Sequence, residues 1–227
     1  MVDATRQAGQ MSARDVILAR IRAANDAASV TGAARVPDVH GYRIAGKHLQ
    51  GSDAVVDLFI SRVADYQAGV HCTDGDGVPA LLASLLTDDG RVVVPAGLPE
   101  PWRVAAAGDG RELLIDGQPM TISTRELDEM DAVVTACRAA IAETGTVVLD
   151  AGDDQGRRAL SLLPDHHIVV VRAEQIVQLV PEAIRLLSAD RPLTFISGPS
   201  ATSDIEFNRV EGVHGPRHLD VVVIKGG

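Results

Sequence analysis

Short runs of branched aliphatic residues recur along this chain: RVVVP at 91–95, HIVVV at 167–171 and LDVVVI at 219–224. A run of this length is too short to cross a bilayer, and its consecutive apolar positions put hydrophobic side chains on both faces of a strand. Strands buried on both faces belong to parallel sheets, whose neighbouring strands are joined by helical crossovers. Further strands are expected at 70–73, 112–115, 131–137, 146–150 and 193–197. Helices are expected at 12–28, with Ser12 as N-cap, and at 53–68, where Val55, Val56, Phe59, Ile60 and Val63 share a face. Others are expected at 78–86, 157–163 and 181–187, with Pro181 in a first turn. The pattern predicts an α/β fold with a mostly parallel layered sheet and flanking helices.

Two regions follow from it. Residues 1–50 read as an N-terminal helix and extended arm, because 30–51 mixes Gly, Pro and His without periodicity. Residues 51–227 read as the α/β domain, long enough to bury a substantial core.

Charge and composition narrow the function. The net charge of −10 lies almost wholly beyond residue 68, and the chain has only six aromatic residues, namely one Trp, two Tyr and three Phe. An acidic body with few stacking platforms is a poor nucleic-acid binder. No apolar run is long enough to span a membrane, and residues 1–10 lack the apolar core of a secretory signal, so a cytoplasmic protein is expected. Cys72 and Cys137 read as packing residues in a reduced compartment.

The segment SGPSATSDIEFNRVEGVHGPR, 197–217, is far longer than a connection between two strands requires. Ser203 and Glu206 have capping-box spacing, so a helix is expected to start at Ser203 and to stop at Gly212. Its free N–H groups would face Ser197, Gly198, Pro199, Ser200 and Thr202, a set suited to holding a carboxylate or phosphate. Asp204 opposes that reading by already occupying the positive end of the helix, and Glu206 and Arg209 could simply pair along it. Caps and turns alone are the competing explanation. Because ligands of open parallel sheets bind beyond the carboxyl ends of the strands, Ser197 and its loop are expected at such an end.

A second candidate is Glu143-Thr144-Gly145-Thr146, where Glu143 could act as base or nucleophile beside a turn, or where Thr-Gly is only a turn. Other features carry less. Gly108-Asp109-Gly110 is not a dinucleotide fingerprint, and Asp74-Gly75-Asp76-Gly77 lacks most ligands of a calcium loop. His214 and His218 have the offset of two helical metal ligands, but Gly215-Pro216 interrupts them. His166 and His167, on a strand, would face opposite sides. No metal site is expected.

The stretches 196–206 and 210–217, together with Ala142-Glu143-Thr144-Gly145-Thr146-Val147-Val148-Leu149, resemble the motifs of the LUD domain family, in its lactate-utilisation protein C group. The resemblance implies a fold like that of the NagB/RpiA/CoA-transferase-like proteins. It also implies a part in oxidising L-lactate to pyruvate alongside iron–sulfur partner proteins. Two cysteines cannot ligate a four-cysteine cluster and no flavin or nicotinamide fingerprint is present, so a non-redox component that binds a small anionic ligand is expected, with no cofactor of its own. The candidate ligand-binding set is Glu143, Thr144, Gly145, Thr146, Ser197, Gly198, Pro199, Ser200, Thr202, Asp204, Glu206, Arg209 and His214. The alternative is a self-sufficient enzyme acting on a CoA ester or sugar phosphate with Glu143 as base or nucleophile.

Overall fold

The computed structural model describes residues 12–30, 41–108, 110–117, 120–202, 210–211 and 215–225. Residues 1–42 and 43–227 form two compact units. In the first, α1 (Ala13–Val30) begins as expected: the Ser12 hydroxyl accepts from Asp15 N at 3.2 Å. Its apolar residues Val16, Ile17 and Ile21 are exposed.

The second unit runs α2 (Asp53–Asp65), β1 (Gly69–Thr73), α3 (Val78–Leu85), β2 (Arg91–Pro95), α4 (Glu100–Ala107), β3 (Glu112–Asp116) and α5 (Thr124–Asp128). It continues with β4 (Ala132–Ala136), β5 (Ala139–Ile141), β6 (Thr146–Leu149), β7 (His166–Arg172), β8 (Ile176–Val177), α6 (Val180–Leu186) and β9 (Thr194–Ile196). The last elements are β10 (Ala201–Thr202), β11 (Val210–Glu211) and β12 (His218–Ile224).

Six strands in the order β1-β12-β7-β4-β2-β3 make one parallel sheet, as the valine runs predicted. Alternate residues face opposite layers. Ile168, Val170, Val222 and Val94 pack on Leu82 of α3 and on Trp102 and Ala106 of α4. Val169, Val171, Val221 and Val223 pack on Val55, Phe59 and Val63 of α2. Phe59 is fully buried there, and its truncation to Ala would cost about 3–5 kcal/mol.

A second sheet, β8-β5-β6-β9, lies on the α2 side and was not anticipated. The runs at 146–150 and 193–197 belong to it rather than to the parallel sheet; β6 pairs antiparallel with both β5 and β9. Two further expectations fail. Residues 157–163 form turns instead of a helix, because Gly156 sits at φ 71° and the Arg157 side chain is held by Asp116 and the Ile122 carbonyl. Val210–Glu211, expected to end a helix, pairs antiparallel with Ala201–Thr202; the remainder of that helix, 203–209, lies outside the described residues. Among the described residues no helix is long and apolar enough to cross a membrane.

The segment before α2 is anchored rather than loose. Buried Gln178 accepts through Oε1 from Lys47 N (2.7 Å) and His48 N (3.1 Å), and Gly51 N donates to Ile176 O.

On the α3 face, Asp220 of β12 bridges two neighbours. His71 Nε2 lies 2.7 Å from Oδ1 and His166 Nε2 2.6 Å from Oδ2. The hydrogen bond to His166 holds the Asp220 carboxyl below its usual range; burial opposes this and His71 reinforces it. Asp220→Asn is expected to lower stability at neutral pH by about 2 kcal/mol in urea unfolding. Since the folded carboxyl titrates lower than the unfolded one, this stabilisation is present above the ordinary value of 3.8 and is lost as pH falls through the folded value. The gap between wild type and variant should therefore close in acid.

Candidate functional site

Strands β6 and β9 pair with Val147 opposite Ile196, which sets Thr146 beside Ser197. The two sequence motifs therefore meet, and they do so through hydroxyls. Thr146 Oγ1 lies 2.7 Å from Ser197 Oγ and 2.7 Å from Thr144 Oγ1. Either partner of each pair can donate, so the protons along this chain can be rearranged to suit whatever Ser197 meets.

The glycines of both motifs have a packing role. Gly145 (φ 55°) and Gly198 (φ 85°) adopt backbone conformations that disfavour other residues. A Cβ on Gly145 would lie 2.8 Å from the Arg62 carbonyl carbon, and one on Gly198 would lie 2.7 Å from Tyr66 Cβ. Both turns thus press against the carboxyl end of α2.

Beneath the loop Ser197–Ser200 lies a cavity of 210 Å³, lined in part by Arg158, Ser161, His167, Ser197 and Ser200. His167 is the second residue of β7, and Leu219, which also lines the cavity, is the second residue of β12. The loop therefore lies over the amino ends of the parallel strands, contrary to the expected carboxyl end. The reason is that β9 belongs to the second sheet, so the rule for parallel strands does not locate the loop that follows it.

The lining mixes apolar residues, among them Leu162, Ile196 and Leu219, with buried polar ones. His167 is fully buried, with Nε2 2.8 Å from Thr135 Oγ1 and Nδ1 without a hydrogen-bond partner among the described residues. Burial, with a smaller effect of neighbouring His166, pushes the imidazole down to about 3, so the ring is neutral at physiological pH. Ser161, also buried, donates to the Arg158 carbonyl at 3.2 Å. Arg158 is exposed and makes no ion pair among the described residues. It is the one charged side chain among the described residues lining the cavity. In a chain of net charge −10, a pocket whose described lining residues carry a single charge, that of an arginine, is equipped for a small anion.

Not every candidate residue lines this cavity. Ser197, Gly198, Pro199 and Ser200 do, and Thr144 and Thr146 support Ser197 through the hydroxyl chain. Glu143 instead pairs with Arg43 at 2.8 Å and accepts from Gln178 Nε2 at 3.4 Å. Thr202 is described only as part of β10. Asp204, Glu206, Arg209 and His214 lie outside the described residues. Sequence reasoning missed Arg158, Ser161 and His167. Two signals were available: an arginine pair, Arg157-Arg158, in an acidic stretch, and the adjacent His166-His167 at the start of a strand. His166 and His167 do face opposite sides, as expected. Of the cysteines, Cys137 is buried, and desolvation raises its thiol far above the usual range, whereas Cys72 is exposed on β1 and is not the packing residue expected.

Comparison with known proteins places this geometry among relatives. The LUD domain family is matched over residues 117–224. A lactate utilization protein C of Deinococcus radiodurans is 49% identical over 174 residues, spanning 75% of this chain and 79% of that protein. A protein of the same name from Halalkalibacterium halodurans is 37% identical over 106 residues, 43% of this chain and 46% of its own length. The crystal structure of a DUF162 family protein from Deinococcus radiodurans superimposes with a TM-score of 0.64 at 44% identity, covering 75% of this chain and 96% of that one.

The packing role of the motif glycine separates it from its acidic neighbour. Gly145→Ala forces a positive φ and a clash with backbone, and should cost about 2 kcal/mol or more in denaturant unfolding. Glu143→Gln removes a partly exposed ion pair and should cost no more than about 1 kcal/mol. Equal costs would show that the turn tolerates a side chain at position 145.

Proposed function

The chain belongs to the LUD domain family, and from that membership we propose that it is a non-redox component of an L-lactate utilisation system. It works in the cytoplasm beside iron–sulfur partner proteins and holds a small carboxylate in the cavity under Ser197–Ser200. The relatives' shared name, lactate utilization protein C, supports the process. The division of labour rests on chemistry: taking two electrons from lactate needs a redox centre, and the two cysteines of this chain are too few for a four-cysteine cluster.

The observation that carries the binding role is the cavity itself. Arg158 supplies a permanent cation at its lining, Ser197 and Ser161 supply hydroxyls, and neutral His167 adds a ring nitrogen without placing a second charge there. A carboxylate entering would face one guanidinium and no opposing anion among the described lining residues. Nothing in this geometry favours Glu143 as a nucleophile. Its carboxylate is engaged by Arg43 and Gln178 and does not line the cavity.

Thermal unfolding of the purified chain with lactate, pyruvate and related carboxylates tests the site. A ligand at a hundred times its dissociation constant stabilises the fold by roughly 2.7 kcal/mol. That stabilisation should fall below detection in Arg158→Gln; an undiminished shift in the variant, or none in the wild type with any carboxylate, would contradict the reading. Affinity purification from lactate-grown cells tests the partnership. Cysteine-rich iron–sulfur proteins should co-purify, and recovery of the chain alone would count against the complex.

A further inference from the structure

We infer a second ligand site at the opposite, carboxyl end of the parallel sheet, built by the loop that follows β6 and suited to a small hydroxylated oxyanion. Strand order reverses between β2 and β4: β2 leads outward to β3 at one edge, while β4 leads to β7, beyond which lie β12 and β1. Ligands of open parallel sheets bind in the crevice at this kind of reversal.

Here the two strands part early and the gap between them is filled by chain, which leaves the open space on either side of the filling loop. β2 and β4 pair only at Val92–Ala132 and Val93–Val133 and then part. The loop 150–157 takes up the freed backbone donors: Gly97 N donates to Asp153 O and Ala136 N to Asp154 O, each at 2.9 Å. Gly97 is required for this approach, since a Cβ would lie 2.6 Å from the Asp153 backbone. The loop pays with strain, holding Ala151 at φ 54°, a left-handed conformation costly for a residue with a Cβ.

On either side of this loop is a cavity, and the two share Gly152. In the larger, of 590 Å³, the Arg157 guanidinium is committed to Asp116 and to the Ile122 carbonyl. The smaller, of 470 Å³, is polar and more than twice the volume of the cavity at the amino end. Two half-exposed arginines converge there on one buried carboxylate: Asp150 Oδ2 lies 3.2 Å from Arg191 Nη1 and 3.9 Å from Arg138 Nε. Arg138 is further fixed by donating from Nε and Nη2 to Leu186 O, at 3.1 and 3.0 Å.

The lining carries two guanidiniums and two carboxylates, so its charge is balanced by Asp150 and Asp154 together; Asp150 draws the two guanidiniums to one point and leaves both with donors to spare. Asp150 is therefore a positioning residue. Its Oδ1 has no partner among the described residues, and its N–H is held by Gln155 Oε1 at 2.7 Å. Asp154 lines the same cavity and accepts from Gln155 Nε2 at 3.2 Å. A ligand that satisfies both ends presents an oxyanion to Arg138 and Arg191 and a hydroxyl donor to the Asp154 carboxylate. A hydroxycarboxylate and the phosphate ester of a polyol share that chemistry.

Titration calorimetry on the full chain carrying Arg158→Gln, which removes the cation of the amino-end cavity, isolates this site. Glycerate or glycerol 3-phosphate should bind about tenfold more tightly than propionate or propyl phosphate, which lack the hydroxyl. Whichever of the two hydroxylated probes binds tighter identifies the oxyanion. Adding Arg191→Gln or Asp154→Asn, both at accessible positions, should each weaken binding about tenfold or more. Equal binding of hydroxylated and deoxy probes, absence of binding, or indifference to Arg191→Gln overturns the site. Binding seen in the wild type but abolished by Arg158→Gln alone returns the ligand to the amino-end cavity and overturns it equally.

Discussion

A parallel sheet covered on both faces has no solvent along its strands to satisfy an unpaired backbone group, so every place where two strands part must be filled by other parts of the chain. In this protein that place lies between β2 and β4, and the loop 150–157 fills it with the carbonyls of Asp153 and Asp154. Much else follows from this one repair. The loop must pass close to Gly97, must bend at Ala151 and Gly152, and must leave Asp150 buried where Arg138 and Arg191 can reach it. Arg157 is drawn into an ion pair with Asp116, which prevents the helix that the local sequence would otherwise favour.

Buried polar residues mark where such demands fall. Asp116, Asp150 and Gln155 lie at the carboxyl end of the sheet, while Thr135, Thr146, Ser161 and His167 surround or support the cavity at the amino end. Each such group costs free energy unless it is hydrogen-bonded, and two of them, Asp150 Oδ1 and His167 Nδ1, have no partner among the described residues. Those two atoms belong to residues lining two different cavities, one at each end of the sheet.

Legibility in the sequence followed the strength of the local signal. Runs such as RVVVP and LDVVVI were read correctly because strands buried on both faces leave no ambiguity of face. The second sheet was not read: Ala139–Ile141 and Ile176–Val177 are too short, and the former too alanine-rich, to stand out from their surroundings. Ser197 follows a strand of that second sheet, so the rule for parallel strands points to the wrong end for its loop. The meeting of Thr146 with Ser197 was legible only as two motifs of one family. That their glycines are shaped by α2 was not, since Arg62 and Tyr66 are remote in sequence. His167 was visible as one of an adjacent pair, but a strand period says only that the two rings face opposite ways, not which one meets a cavity.

Membership of the LUD domain family therefore has a physical counterpart in a hydroxyl-linked turn and loop over a cavity whose charged residue, among the described lining residues, is an arginine. The most direct measurement is a heteronuclear NMR titration of the His167 imidazole nitrogens, with and without a saturating carboxylate. The ring should stay neutral from about pH 8 down to about pH 5, and its nitrogen shifts should move when the ligand is added. A ring that titrates near the ordinary value of 6.5, or one unmoved by a carboxylate that does bind, would contradict it.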